Sequence, residues 1–234
     1  MLRNIILGIY FWVLMILSLV IFILYYLLRI FSIKYSSLFV MRCTKIWAGH
    51  ILAVAGIKIY VNGYENVPQE DNVCFVSNHQ SYLDIPVIYA VIPKQVGFVA
   101  KKELDKIPLL NLWMRALGCV LIDRKKPSSS LQKTRKRIDK VEKGRPLVIF
   151  PEGTRSKDNR VGKFKTGSIQ IMAGKNIKIV PVTIMNTHKL LEKDNAVRKG
   201  EVYVYIHPPM QHKNKNGKSM ATDLEHIVGS VFNA

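Results

Sequence analysis

No charged residue interrupts the chain between Arg3 and Arg29. The stretch from Asn4 to Leu28 is 25 residues long. Wound as a helix it measures roughly 38 Å, more than the about 30 Å of a bilayer's hydrocarbon core. It is too long for the apolar part of a signal peptide, and no small-x-small cleavage site follows it. From Ser36 to Ala55 the pattern changes. Arg42, Lys45 and Gly49 share one helical face, while Phe39, Ile46, Trp47, Ile51 and Val54 lie largely elsewhere. Such a helix lies at an interface or packs back on the first. Residues 1–56 are therefore expected to form a two-helix membrane anchor, spanning once or dipping into one leaflet. Basic residues Arg29, Lys34, Arg42 and Lys45 follow the first run; if it spans, they place everything downstream in the cytoplasm.

Beyond Gly56 the period shortens. Ile57-Lys58-Ile59-Tyr60-Val61 alternates and stops at the turn Asn62-Gly63. Val73–Val76, Val96–Ala100, Cys119–Ile122, Leu147–Phe150, Ile177–Ile184 and Glu201–Ile206 are short apolar runs that read as strands. Between them Ile85–Val91, Leu109–Ala116, Ser128–Lys143 and Ser168–Ala173 read as helices, and Asp223–Phe232 closes the chain as another. Strands alternating with helices predict an α/β domain over residues 57–234, a mixed sheet flanked by helices. No internal repeat is visible, and Lys213–Lys218 reads as a polar, basic loop.

Composition adds a partner class. With 234 residues the chain has room for one catalytic domain and an appendage. Thirty-five Lys and Arg against 16 Asp and Glu give a net charge of +19, which predicts an acidic partner: nucleic acid, an anionic membrane surface or an acidic carrier protein. The cations of Ser128–Lys143 (Lys133, Arg135, Lys136, Arg137, Lys140, Lys143) have no aromatic residues interleaved with them, so base stacking is not indicated. A solvated face near an anionic membrane is the preferred reading, and a dock for an acidic carrier the sharper alternative. Cys43, Cys74 and Cys119 are scattered and form no metal-ligand spacing; reduced thiols in a cytoplasmic compartment are the simplest account. Gly217-Lys218-Ser219 lacks the first glycine of a phosphate loop, and no GxSxG elbow supports serine-hydrolase chemistry. His50, His188, His207, His212 and His226 show no metal-ligand spacing either.

The candidate chemistry centres on Asn78-His79-Gln80-Ser81-Tyr82-Leu83-Asp84, directly after a buried strand. Residues five apart on a regular helix differ by roughly 140° in azimuth, so an unbroken helix would separate His79 from Asp84. A strand-to-helix turn brings them together. Asp84 would then hold one ring nitrogen and leave the other to take a proton. The blander alternative is that Asp84, or Ser81 with Asp84, caps the next helix. A second block, Pro151-Glu152-Gly153-Thr154-Arg155, also follows a strand. Gly153 allows close backbone approach, Thr154 offers a hydroxyl and an amide, Arg155 offers a fork that matches phosphate oxygens, and Glu152 is placed to orient Arg155 or a substrate hydroxyl. A surface turn with a solvated arginine is the competing reading. Arg124 and the pair Lys101-Lys102 also follow strands, so three strand ends can deliver cations to one edge of a sheet. In a chain so rich in cations, coincidence is the alternative.

Together these blocks resemble the bacterial 1-acyl-sn-glycerol-3-phosphate acyltransferase family (lysophosphatidic acid acyltransferases). The resemblance covers roughly residues 57–210. It rests on Asn78–Asp84, Gly118-Cys119-Val120-Leu121-Ile122-Asp123-Arg124, Phe150-Pro151-Glu152-Gly153-Thr154-Arg155 and Ile179-Val180-Pro181-Val182-Thr183-Ile184. It implies transfer of an acyl chain from acyl-carrier protein or acyl-coenzyme A to the sn-2 hydroxyl of lysophosphatidic acid, giving phosphatidic acid. It makes His79 the general base and Asp84 its orienter. Arg124, Glu152, Gly153, Thr154, Arg155 and Lys101 would bind the substrate phosphate, and Pro181 would shape the acyl pocket. No cofactor or metal is required and no nucleic acid is implied; anionic membrane lipids are the expected surroundings, with the domain on the cytoplasmic face of the cell membrane. A sibling enzyme acylating glycerol-3-phosphate or another lysolipid, a thioesterase using water, and a non-catalytic, membrane-tethered binder of anionic ligands are the alternatives.

Overall fold

The protein was analysed as a computed structural model that describes residues 2–123, 125–193 and 196–233. Two long helices open it, α1 (Leu2–Phe31) and α2 (Ile33–Val54). Ser32 turns one into the other: its N–H still bonds Leu28 O at 2.7 Å, while its hydroxyl accepts from Tyr35 N at 3.4 Å. Helix α2 packs on α1 and on the short helix α3 (Asp84–Val91). Its buried positions, Ser36, Val40, Thr44, Ala48 and Leu52, recur every fourth residue and are mostly small. The two hydroxyls turn back on the carbonyls of Ile33 and Val40, so the stripe is buried without stranding a polar group. Of the two readings of this segment, packing back on the first helix is the arrangement observed. Helix α1 sends Phe22 and Tyr25 inward, into the buried cluster that also holds Val40, Leu52, Val87, Val182 and Val204. Trp113 fastens it further, donating from Nε1 to Ser18 Oγ at 2.8 Å and meeting Phe22 edge-on at 4.8 Å. Elsewhere α1 leaves Ile9, Ile16, Val20, Ile23 and Ile30 exposed.

The sheet has seven strands: β1 (Ile57–Asn62), β2 (Val73–Ser77), β3 (Gly97–Lys101), β4 (Val120–Ile122), β5 (Leu147–Ile149), β6 (Lys178–Met185) and β7 (Gly200–Ile206). Their order is β1-β7-β6-β2-β5-β3-β4. Only β6 and β7 pair antiparallel; the other neighbours are parallel. This is the mixed sheet expected from the pattern. The central strand β2 is buried along its whole length, and so is β5, as parallel strands covered on both faces must be. The C-terminal ends of β6, β2, β5, β3 and β4 fall at one edge, where a sheet of this kind presents ligand-binding loops.

Helices α4 (Leu110–Ala116), α5 (Pro127–Glu142), α6 (Thr166–Gln170) and α8 (Gly217–Ser230) match expected segments with shifted ends. Helix α8 starts well before Asp223 because Asn216 caps it, accepting from Ser219 N at 2.9 Å, and because Met220, Ala221, Leu224 and Val228 give it a buried face. Helix α7 (Thr187–Leu191) was not foreseen. One cation of α5 leaves the solvated face assigned to it: Arg137 is buried and donates to the carbonyls of Gly118, Arg145 and Pro146 at 2.7–2.8 Å. Its guanidinium ties together the turns that enter β4 and β5. Gly97 belongs to the same seam, since a Cβ there would collide with the Gly118 carbonyl.

Candidate active site

β2 ends at Ser77, and the next residue locks the strand end. Asn78 donates from Nδ2 to Ile184 O and accepts from Ile184 N, both at 2.8 Å, so β2 and β6 are clasped just where the chain turns. The turn then folds around a carboxylate. Asp84, in the first turn of α3 and fully buried, accepts at Oδ2 from His79 Nδ1 (2.7 Å), Gln80 N (2.7 Å) and Ser81 N (2.9 Å). Its Oδ1 accepts from Thr187 Oγ1 at 2.6 Å. Leu83 N donates to Ser81 Oγ at 3.2 Å. Ser81 and Asp84 tie together the turn that leads into α3, whose N-cap Leu83 has no side-chain cap, and the same carboxylate holds the imidazole. The bond at Nδ1 assigns the proton to that nitrogen and leaves the lone pair on Nε2.

The imidazole is also held face-on. It stacks on Phe150 at 4.3 Å and 16°, and Phe150 stacks on Phe98 at 5.8 Å. Phe150 directly follows β5, so the neighbouring parallel strand supplies the floor of the site. With its side chain 18% exposed, His79 can meet a substrate from the open side.

The loop after β5 wraps the backbone of His79. Glu152 accepts from His79 N at 2.8 Å and from Gly162 N at 3.1 Å, and Ser156 N donates to His79 O at 2.8 Å. Gly153 takes φ 71°, a left-handed turn that suits glycine. Thr154 is exposed. The expected orienting of Arg155 by Glu152 is not what is found. Arg155 Nη1 instead pairs with Glu192, at 2.6 and 2.7 Å to its two oxygens, and the guanidinium lies 3.6 Å over the Tyr82 ring. Glu152 is spent on the two amides, and Arg155 points past β2 toward the β6–β7 connection.

Burial pushes the Glu152 carboxyl up to about 7, against the two amide donors, which favour its charge. The sign follows. The unfolded chain ionises this group near 4.5 and the folded chain near 7, so the folded state binds the extra proton between those values and loses stability as pH rises through that window. A shift of that size corresponds to about 3 kcal/mol. Glu152→Gln is expected to flatten this part of the stability curve, read as thermal midpoints between about pH 4.5 and about pH 8. A variant with the wild-type slope would contradict the assignment.

The other expected site residues fall at different places. Lys101 ends β3 and is exposed on the far side of β5 from the Arg155–Glu192 pair. It shares the edge with Arg155 but is not brought against it. Arg124 lies outside the described residues. Pro181 is buried within β6 opposite Val76, short of the edge; its carbonyl accepts from His207 N at 3.0 Å. The antiparallel register with β7 begins one residue later, at Val182, which lets a residue without an N–H sit in an interior strand. The Cys74 thiol is pushed up to about 12 by burial, and burial raises Cys119 as well, so neither is a ready nucleophile.

Two residues of the site were absent from the sequence reading: Thr187, on Asp84, and Glu192, on Arg155. Thr187 opens α7, the helix that was not foreseen, and Glu192 follows its last residue. Their only linear signal is Asn186-Thr187 directly after β6, a common way to start a helix.

A family model described as Acyltransferase matches residues 58–185. The chain is 35% identical over 180 residues to the chloroplastic 1-acyl-sn-glycerol-3-phosphate acyltransferase BAT2 of Brassica napus, covering 76% of this chain and 52% of that one. It is 32% identical over 176 residues to the 1-acyl-sn-glycerol-3-phosphate acyltransferase of Borreliella burgdorferi, covering 75% and 69%. It thus spans about half the length of the Brassica relative. The crystal structure of the 1-acyl-sn-glycerophosphate (LPA) acyltransferase PlsC from Thermotoga maritima matches with a TM-score of 0.83 at 28% identity, covering 99% of this chain and 95% of that one.

Proposed function

The chain belongs to the acyltransferase family, and on that footing we propose that it acylates the sn-2 hydroxyl of 1-acyl-glycerol-3-phosphate from a thioester donor, giving phosphatidic acid. The observation that carries the reading is the His79–Asp84 pair, 2.7 Å apart at the open edge of the sheet, with an arginine anchored to the same turn. The lysophosphatidic acid acceptor comes from what the relatives' names say of them; the donor, acyl-carrier protein or coenzyme A thioester, comes from the chemistry. His79 Nε2 takes the hydroxyl proton as the oxygen attacks the thioester carbonyl carbon. Asp84, bonded to Nδ1, stabilises the imidazolium that forms. The tetrahedral intermediate then collapses, the C–S bond breaks, and the imidazolium returns its proton to the departing thiolate. No group of the protein is acylated. Arg155 holds the acceptor's phosphate, and Lys101, at the β3 end of the same edge, adds positive potential along it.

A panel of acceptors (lysophosphatidic acid, glycerol-3-phosphate, a neutral lysolipid and water) offered to the purified full chain with each donor tests this. Phosphatidic acid as the main product supports it. Free fatty acid formed at the same rate without any lipid acceptor makes the protein a thioesterase instead.

Such an acceptor and product reside in lipid, and α1 is suited to reach it. Asn4–Phe31 is long and apolar enough to cross a membrane, and its outward positions are apolar while α2 fixes it to the catalytic core. On this reading the protein works at the cell membrane with its catalytic edge on the cytoplasmic side. Val20 and Ile23 are 71% and 64% exposed, so lysines there leave the core untouched. Each charge at a bilayer's centre costs about 3 kcal/mol. The double variant Val20→Lys/Ile23→Lys is therefore expected to shift the protein from the membrane pellet to a fraction released by salt, because its cations still bind anionic headgroups weakly. Unchanged, salt-resistant pelleting would remove α1 from the anchor.

A further inference from the structure

We propose that Glu192 is a positioning residue for the acceptor's phosphate, acting through Arg155. This rests on the reading of Arg155 as the phosphate ligand and extends it to a residue in none of the motifs. The Glu192 side chain is 3% exposed and uses both oxygens on a single corner of the guanidinium, Nη1. It is tied to the histidine turn as well, accepting from Ser81 Oγ at 3.2 Å and from Tyr82 N at 3.1 Å.

Three consequences follow from that geometry. First, the pair stays made when ligand arrives, because a phosphate that pulled Arg155 away would leave a buried carboxylate without its cation. Second, the covalent geometry of the guanidinium turns the Nε–Nη2 edge away from Nη1. A carboxylate confined to Nη1 therefore leaves intact the two parallel N–H groups that match two phosphate oxygens. Third, a long side chain clamped at one corner and stacked on Tyr82 has already lost its rotamer freedom before the ligand binds. Because the clamp closes on the Ser81 hydroxyl and the Tyr82 amide, it also fixes the distance between the phosphate anchor and His79, which sets where the acceptor hydroxyl lies relative to the base. Glu192 does not touch the reacting atoms.

The test is steady-state kinetics of the full chain in mixed micelles, with lysophosphatidic acid and thioester varied independently, for Glu192→Gln, Glu192→Asp, Arg155→Gln and the double variant Glu192→Gln/Arg155→Gln. Removing the charge at Glu192 is expected to raise the acceptor KM about tenfold with little change in the donor KM, and Glu192→Asp, which keeps the charge, is expected to recover part of it. In the Arg155→Gln background, Glu192→Gln is expected to add less than about twofold, because it acts only through the missing guanidinium. Thermal midpoints of the same proteins identify loss of folding. If Glu192→Gln does not fold, Glu192→Asp is read against Arg155→Gln in its place, with a raised acceptor KM again the supporting result. A Glu192 effect equal on both substrates, or one that multiplies fully with Arg155→Gln, overturns the proposal. An Arg155→Gln enzyme with wild-type acceptor KM overturns the phosphate assignment and the proposal with it. A raised acceptor KM in Arg155→Gln with none in Glu192→Gln overturns the proposal alone.

Discussion

Replacing His79 by alanine is expected to abolish acyl transfer while the protein stays folded and membrane-bound. The ring lies at an open edge, stacked on Phe150, so its loss opens no cavity in the core. The clasp of Asn78 on Ile184 and the amide bonds to Asp84 all survive the change. What disappears is the imidazole bonded to Asp84. A positioned general base is worth about 10²–10⁴ in rate. Asp84→Asn probes the same unit differently. An asparagine oxygen can still accept from the turn, and the Thr187 hydroxyl can rotate to receive from the amide, so the fold is kept. The negative charge that stabilises the imidazolium is lost. The corresponding substitution in serine proteases costs about 10⁴ in turnover, and a loss of about 10³ or more is expected here. Turnover and thermal midpoint measured on the same preparations decide it. A His79→Ala enzyme that keeps more than about a tenth of wild-type turnover would falsify the base assignment.

Arg155→Lys is expected to raise the KM for lysophosphatidic acid far more than that for the thioester. A charge-assisted contact is worth about 1.5–3 kcal/mol, roughly tenfold to a hundredfold in affinity. Lysine fails here for a reason specific to this site. Arg155 serves Glu192 from Nη1 and, on the proposed reading, keeps its other edge for the phosphate; a single ammonium cannot reproduce both at fixed distances. It would stay with the buried carboxylate and abandon the phosphate. Turnover falls too, because a poorly held acceptor samples the reach of His79 less often. A neutral acceptor lacking phosphate should be nearly indifferent to the change. Unchanged acceptor dependence with a selectively weakened donor would move Arg155 to the carrier's phosphopantetheine.

The parts of the site readable from the chain alone were those built locally. His79 and Asp84 sit five residues apart in one strand-to-helix turn, and the spacing itself argued for that turn. The strands were readable because short apolar runs bounded by turn residues leave few alternatives. What was not readable depends on crossings of the sheet. Glu152 and Arg155 are three residues apart, which made one the natural partner of the other. In the folded chain the intervening Gly153 turn sends Glu152 back under His79 and Arg155 out to Glu192, 37 residues downstream. Arg137 looked like its neighbours on a basic helix, and only the three carbonyls gathered beneath it distinguish it. The first 56 residues read as an appendage because hydropathy reports apolar surface without saying what covers it. The every-fourth-residue stripe of small side chains on α2 is what joins it to the core.

The most direct measurement offers lysophosphatidic acid and a thioester carrying an isotope-labelled acyl chain to the purified full chain, then reads by mass where the label goes. The mechanism predicts phosphatidic acid labelled at sn-2, one thiol released per label transferred, no label on the protein at any time, and none of this with His79→Ala. Label appearing on a protein side chain before the product, or ending as free fatty acid with the lysolipid untouched, would contradict direct transfer to an acceptor hydroxyl activated by His79.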